Sequence, residues 1–292
     1  MQIAFHLGAQ CTDEDRLIKA LRKNRRLLAR SGIAIPGPRR YRPLLREALA
    51  KLRGAEASPE MADTIRNHVL GESSATRLIL ALDGFLCAPR FVLGPRRIYP
   101  QIGERINAIQ GLFPNQETQF SIGIRNPATF IPALHNVMQA EIGFERLIAP
   151  IDLKALRWSD TIAMVREAAP HAEVIVWANE DTPLVWPDIL QAVSGHPADM
   201  TLIGTEDILE GLIKPAGMQR LKAYFEERPD LDRKGRQKIS DIFLDKFVDD
   251  DAREEIFELP GWTEAAIWEL TRAYELDLDR IAAMHGVQMI RP

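Results

Sequence analysis

Apolar residues along the chain fall into two patterns. Short, nearly continuous runs rich in Ile, Val, Leu and Phe occur at residues 2–7 (QIAFHL), 77–82 (RLILAL), 118–124 (TQFSIGI) and 173–179 (EVIVWAN). Their length and the turn residues around them predict buried strands, and VQMI at 287–290 predicts a short further one. Between them apolar residues recur at helical spacing. Leu17, Ala20, Leu21, Leu27 and Leu28 form such a stripe, which predicts one helix over 14–31 ended by Gly32. Helices are also predicted at 43–52 and at 59–70, the latter opened by Ser58 before a proline. Others follow at 101–112, 128–140, 159–169, 185–193, 218–227, 234–248 and 263–284. Pro132 is expected near the first turn of its helix, where a proline is tolerated. Residues 33–42 (IAIPGPRRYR) read as a proline-rich loop, and 83–100 as a long irregular segment that could serve as a lid.

Strands alternating with helices predict an α/β fold with a central parallel sheet of four or five strands, covered on both faces. One domain is expected over 1–292, with an α/β core at 1–195 and a mostly helical part at 196–292. Ligands of such sheets bind at the carboxyl ends of the strands. The loops after Leu7, Leu82, Ile124 and Trp177 should therefore share one face.

Composition narrows the class. With 46% hydrophobic and 27% charged residues the chain is expected to be globular. No apolar run is long enough to span a bilayer, and the N-terminus enters a strand without a basic leader. The two cysteines, Cys11 and Cys87, offer neither a disulfide framework nor zinc-ligand spacing. A cytoplasmic protein without a metal is the expectation. The net charge of -4 hides an asymmetry: residues 1–54 are basic by about nine charges, and those from 200 onward acidic by about seven. Aromatic residues are scarce among the basic ones, so nucleic-acid binding is not expected; the basic helix is expected to pack near the acidic C-terminal part.

Several stretches, in order, carry a resemblance. A bacterial branch of the sulfotransferase superfamily has a first strand and loop of the form HxGxxKTGTT, then a helix with NR and a Gly-Ile-Pro ending. His6, Gly8, Thr12, Leu17, Asn24, Arg25, Gly32, Ile33 and Pro36 fall in register with it. A second motif, a strand ending in R-x-P, is matched by Arg125, Asn126 and Pro127. VIVWANEDTP resembles the strand bearing an acidic YED-like signature. Over residues 1–195 the chain thus resembles enzymes that use 3′-phosphoadenosine 5′-phosphosulfate (PAPS) on a three-layer P-loop-like fold. The resemblance implies in-line sulfuryl transfer from PAPS to a hydroxyl or amine acceptor. It also implies nucleotide contacts from Gly8 and Thr12, with Arg125 on the 3′-phosphate.

The chain departs from the family where the chemistry would be. In register, the loop lysine is Cys11, the glycine is Asp13 and the two threonines are Glu14 and Asp15; Ala133 stands for the serine paired with the arginine. A lysine stabilises the charge that grows on the leaving oxygen, and cysteine cannot. Ionised carboxylates accept hydrogen bonds but do not donate them to a phosphate. Thr12 or Asp13 can instead cap the helix, with Glu14 and Asp15 at its positive end. The catalytic candidates are Asp83 as general base, against an ordinary Asp-Gly turn, and His6, against a satisfied core histidine. Arg125 can bind phosphate or cap its strand. Glu180 and Asp181 can cap a helix or line a pocket, and Arg96 and Arg97 are expected in solvent. Trp262 and Trp268 are expected to serve packing. Two readings remain open: a divergent transferase with a nucleotide and an unknown acceptor, and a catalytically inactive relative that binds a protein partner.

Overall fold

Among the described residues six strands form: β1 (Gln2–His6), β2 (Ile33–Ala34), β3 (Arg77–Ala81), β4 (Glu117–Ile124), β5 (Glu173–Ala178) and β6 (Val287–Ile290). In this computed structural model, which describes residues 1–71, 74–249 and 259–292, they make one sheet in the order β2-β3-β1-β4-β5-β6. Every neighbouring pair is parallel. Helices α1 (Arg16–Lys23) and α2 (Arg25–Arg30) lead from β1 to β2, and α3 (Pro38–Leu52) and α4 (Pro59–Leu70) on to β3. Helix α5 (Ile102–Gln110) precedes β4, and α6 (Pro127–Met138), α7 (Phe144–Ile148) and α8 (Trp158–Ala168) precede β5. The described residues after β5 give α9 (Thr182–Ser194), α10 (Asp207–Glu210), α11 (Pro215–Glu227), α12 (Arg233–Phe247) and α13 (Glu264–Ala282) before β6.

Side chains alternate across the sheet, so it buries two apolar faces. On one face Phe5, Leu80, Phe120 and Val176 join Tyr41, Ile106, Phe130, Trp158 and Ile281 from α3, α5, α6, α8 and α13. On the other, Ala4, Ile79, Ile175 and Trp177 join Leu17, Leu21 and Leu28 of α1 and α2 and Ile189 and Val193 of α9. A satellite cluster of Leu209, Ile213, Leu221 and Phe225 holds α10, α11 and α12 together. No helix among the described residues is long and apolar enough to cross a membrane.

The sheet has one strand more than the four or five expected. The extra strand, β2, is two residues inside the stretch read as a proline-rich loop. The helix expected over 14–31 is two helices, broken at Asn24. Its buried amide bonds the carbonyl of Ala20 and both backbone groups of Ile203, which pins the break to the segment after α9. Helix α3 starts five residues earlier than expected, at Pro38, and Pro43 lies within it. Pro132 is the sixth residue of α6, just beyond its first turn. A proline there leaves the carbonyl four residues earlier without its helical partner. The indole N–H of Trp262 donates to that carbonyl, of Ala128, at 3.1 Å. Trp262 thus packs as expected and is buried, whereas Trp268 is 61% exposed, with Arg272 over its ring.

The C-terminal part is not an appendage to a finished core. Strand β6 pairs with β5, and α13 packs on α6 and α8. The buried Asp277 of α13 accepts from the backbone N–H and hydroxyl of Ser159 at the start of α8. The charges are not matched as expected either. Among the described residues, one ion pair, Lys23–Asp207 at 2.5 Å, joins the basic stretch 16–53 to the acidic C-terminal third.

Candidate functional site

The loops after β1, β3, β4 and β5 come together at the carboxyl edge of the sheet. β1 sends its connection to one side, toward β2, and β4 sends its own to the other, toward β5. A crevice between strands that diverge in this way is where open α/β sheets place ligands.

The β1 loop is built around Gly8. Its φ is +59°, and a Cβ there would lie 2.9 Å from the Cα of Asp83. Only glycine lets the β1 and β3 loops approach this closely. Gly8→Ala is expected to cost about 1–3 kcal/mol from the left-handed backbone and the clash, read as a lower urea midpoint at unchanged m-value.

The rest of the loop is tied down by its own chain. Gln10 donates its backbone N–H to the hydroxyl of Tyr99, which donates to the Gln10 side chain. Thr12 donates its hydroxyl to Ala9 O at 2.7 Å. Cys11, Glu14 and Asp15 all take left-handed torsions, unusual without glycine. The Asp13 carboxylate, 7% exposed, accepts from the backbone N–H of Leu17 at 2.9 Å, inside the first turn of α1. Its second oxygen lies 3.2 Å from His6 Nε2. Burial alone would raise the Asp13 pKa; the His6 ring, the Leu17 N–H and Arg16 outweigh it and hold the carboxyl below its usual range. Asp15 is gripped by the Arg42 fork, with Nη2 to Oδ1 at 2.5 Å and Nη1 to Oδ2 at 3.1 Å. Arg42 Nε donates to Ala81 O, so one arginine locks the β1 loop to the end of β3. Glu14 points into solvent.

His6 is 1% exposed, stacks on Trp177 with ring centroids 5.7 Å apart and sits 3.3 Å from the Ser121 hydroxyl through Nδ1. Gly123 makes room for that Trp177 ring, since a Cβ would lie 3.0 Å from its Nε1. Asp83 is half-buried in a turn closed by Phe85 N on Leu82 O, with Gly84 at positive φ. Burial first, then Asp15 and Asp13 against Arg42, push its carboxyl above the usual range. Arg125 donates Nη1 to Cys11 O and Nε to the Thr129 hydroxyl, both at 3.0 Å. It therefore docks the β1 loop onto the end of β4. The Cys11 and Cys87 thiols are pushed up to about 11, chiefly by burial, so neither is an activated nucleophile at neutral pH.

Glu180 is exposed at the edge of the crevice and does not cap α9. It accepts from Asn126 N at 2.7 Å and from the Tyr274 hydroxyl at 3.0 Å, bracing the β4 end against α13. Arg96 is exposed, 3.9 Å from Asp152. The segment 83–100 is packed into the fold rather than laid over the crevice, with Val92, Ile98 and Tyr99 buried. A cleft of about 610 Å³ stays open beside the loop, between α1 and α9, edged by Thr12, Asp13, Arg16, Trp177, Glu180 and Trp186.

The structure thus brings His6, Gly8, Thr12, Asp83 and Arg125 to one crevice. Sequence reasoning missed Arg42 and Tyr99, which hold the loop from two sides; each lies in a stretch read as irregular, and no spacing links them to it.

The chain matches no known family model, no curated protein and no solved structure. Among the described residues no cluster of side chains fits a metal ion.

Proposed function

We propose that this chain is a sulfotransferase-like protein whose first loop no longer takes a phosphosulfate, and that it works by binding rather than by group transfer. One observation carries the reading. The Asp13 carboxylate already sits on a first-turn N–H of α1, where an incoming phosphate would need a donor. A dianion beside Asp13, Asp15 and Asp83 would meet repulsion of about 1–4 kcal/mol per charge pair at contact distance, depending on screening. That exceeds the 0.3–2 kcal/mol or so that a helix N-terminus returns. Arg125 is engaged by Cys11 O and Thr129, and Ala133 offers no hydroxyl beside it. The residues present do not fit PAPS in the family's manner, and no transfer step is derived through it.

The test is calorimetric titration with adenosine 3′,5′-bisphosphate, repeated on Arg125→Ala. No heat that depends on Arg125 is expected up to millimolar ligand. Micromolar binding that disappears in Arg125→Ala would overturn the proposal and restore a nucleotide site.

The open cleft favours one second reading, a transferase with a displaced nucleotide. Its lining includes Arg16, Lys19 and Lys23 together with Trp177 and Trp186, Lys23 being paired with Asp207. That reading requires bisphosphate binding that survives Arg125→Ala and is lost in Arg16→Gln.

A further inference from the structure

A second cleft, of about 800 Å³, lies on the outer side of α1 where α3 begins. Lys19 and Arg22 from α1 face Arg39, Arg40, Arg42 and Arg46 from α3 across it. Among the described residues Asp15 is the one carboxylate in its wall, and Arg42 already grips it. Among the described residues Lys19, Arg22, Arg39, Arg40 and Arg46 form no ion pair. Converging like charges repel one another, and an anionic ligand relieves that repulsion.

Four of these arginines are also held in place. A Cβ on Gly37 would lie 3.3 Å from Arg22 Nη2, so the Arg22 head rests against the backbone that opens α3. Arg40 donates Nε to His68 O at 2.8 Å. Arg42 is fixed on Asp15 and Ala81 O. Arg46 lies over the Phe85 ring, 4.7 Å from its centroid. A guanidinium held by one edge keeps its other N–H groups free to donate, and less freedom is lost when it binds. Helix α3 also points its positive end into this cleft, and no side chain caps it. A second basic cavity, with Arg25 and Arg26, adjoins it through Arg22, Gly37 and Arg40.

We infer that the α1–α3 cleft is a binding site for a compact ligand carrying several phosphate groups, recognised by converging guanidinium forks. Concavity favours a compact polyanion over a nucleic-acid strand. Among the described residues no aromatic side chain lines the cleft to stack a base. The site is separate from Arg125 and stands whether or not the strand-end loop takes a nucleotide.

Titration of the full chain with sodium tripolyphosphate at low salt, followed by calorimetry, tests it. Saturable binding near micromolar strength is expected, weakened about tenfold or more in Arg22→Gln/Arg39→Gln and unchanged in Arg125→Ala. Lys19→Gln/Arg46→Gln probes the facing walls with a second pair of surface changes and should weaken binding likewise. Absence of saturable binding by the unaltered protein overturns the inference, as does binding indifferent to both pairs. Titration with a single-stranded oligothymidylate series separates the rival ligand. Affinity that grows with strand length and exceeds that of tripolyphosphate would make the surface a nucleic-acid groove and would also overturn it.

Discussion

Asp13→Ala is expected to lower stability by about 2–4 kcal/mol at neutral pH. The change removes the acceptor of a first-turn N–H of α1, a loss like that of a capping side chain, typically about 1 kcal/mol. It also leaves the buried His6 without the carboxylate it faces, at a further cost of about 1–3 kcal/mol. Asp13→Asn keeps an acceptor for Leu17 N–H but not the charge, and should fall between the two. The Asp13 carboxyl is held below its usual range in the folded protein. The unfolded chain therefore binds the proton more readily, and the stabilisation is full above the ordinary carboxylate pKa of about 4. It is lost as pH falls through the lower folded value. Urea unfolding of both proteins from pH 7 to pH 3 checks this: the gap between wild type and Asp13→Asn should narrow below about pH 4. A gap independent of pH would show that the charge contributes nothing.

Trp158→Ala should cost more, about 3–5 kcal/mol. The ring is fully buried against Tyr99 and Phe130, with centroids 6.0 Å and 5.4 Å away. Its indole N–H donates to Arg125 O at 2.7 Å. The same residue therefore fills the core and fixes the β4 end from which Arg125 reaches Cys11 O. Trp158→Phe should retain most of the packing and lose the hydrogen bond, at about 1–3 kcal/mol. A thiol reagent gives the local readout. Modification of the half-buried Cys11 should accelerate in Trp158→Phe even under conditions where global unfolding is negligible.

The strands and the long amphipathic helices were legible because period and burial coincide there. Phe5, Leu80, Phe120 and Val176 fall inside apolar runs, and Leu17 and Leu21 keep helical spacing. The stretch around Pro38 was not. A proline suits the first turn of a helix, so Pro43 was the natural start to read; the chain uses Pro38 for that role and carries Pro43 inside. Strand β2 is too short for any period to show. Trp262 and Trp268 share a segment and a residue type, and only the tertiary position of the Ala128 carbonyl tells them apart. At the candidate site the residue types were readable and their partners were not. The Asp13 bond to Leu17 N–H is local, though the cap position itself falls at Asp15, whereas the Asp15–Arg42 grip and the Gln10–Tyr99 bond join positions far apart in the chain.

The sheet closes late. β5 ends at Ala178, and the strand that covers its outer edge spans Val287–Ile290. A ribosome delivers these segments in that order. While everything between them is being made, β5 presents an open hydrogen-bonding edge, and Glu180 lacks the Tyr274 hydroxyl that it accepts from in the folded state. Nascent chains should therefore carry an aggregation-prone edge until residues 287–290 have been made, the interval in which a chaperone has most to protect.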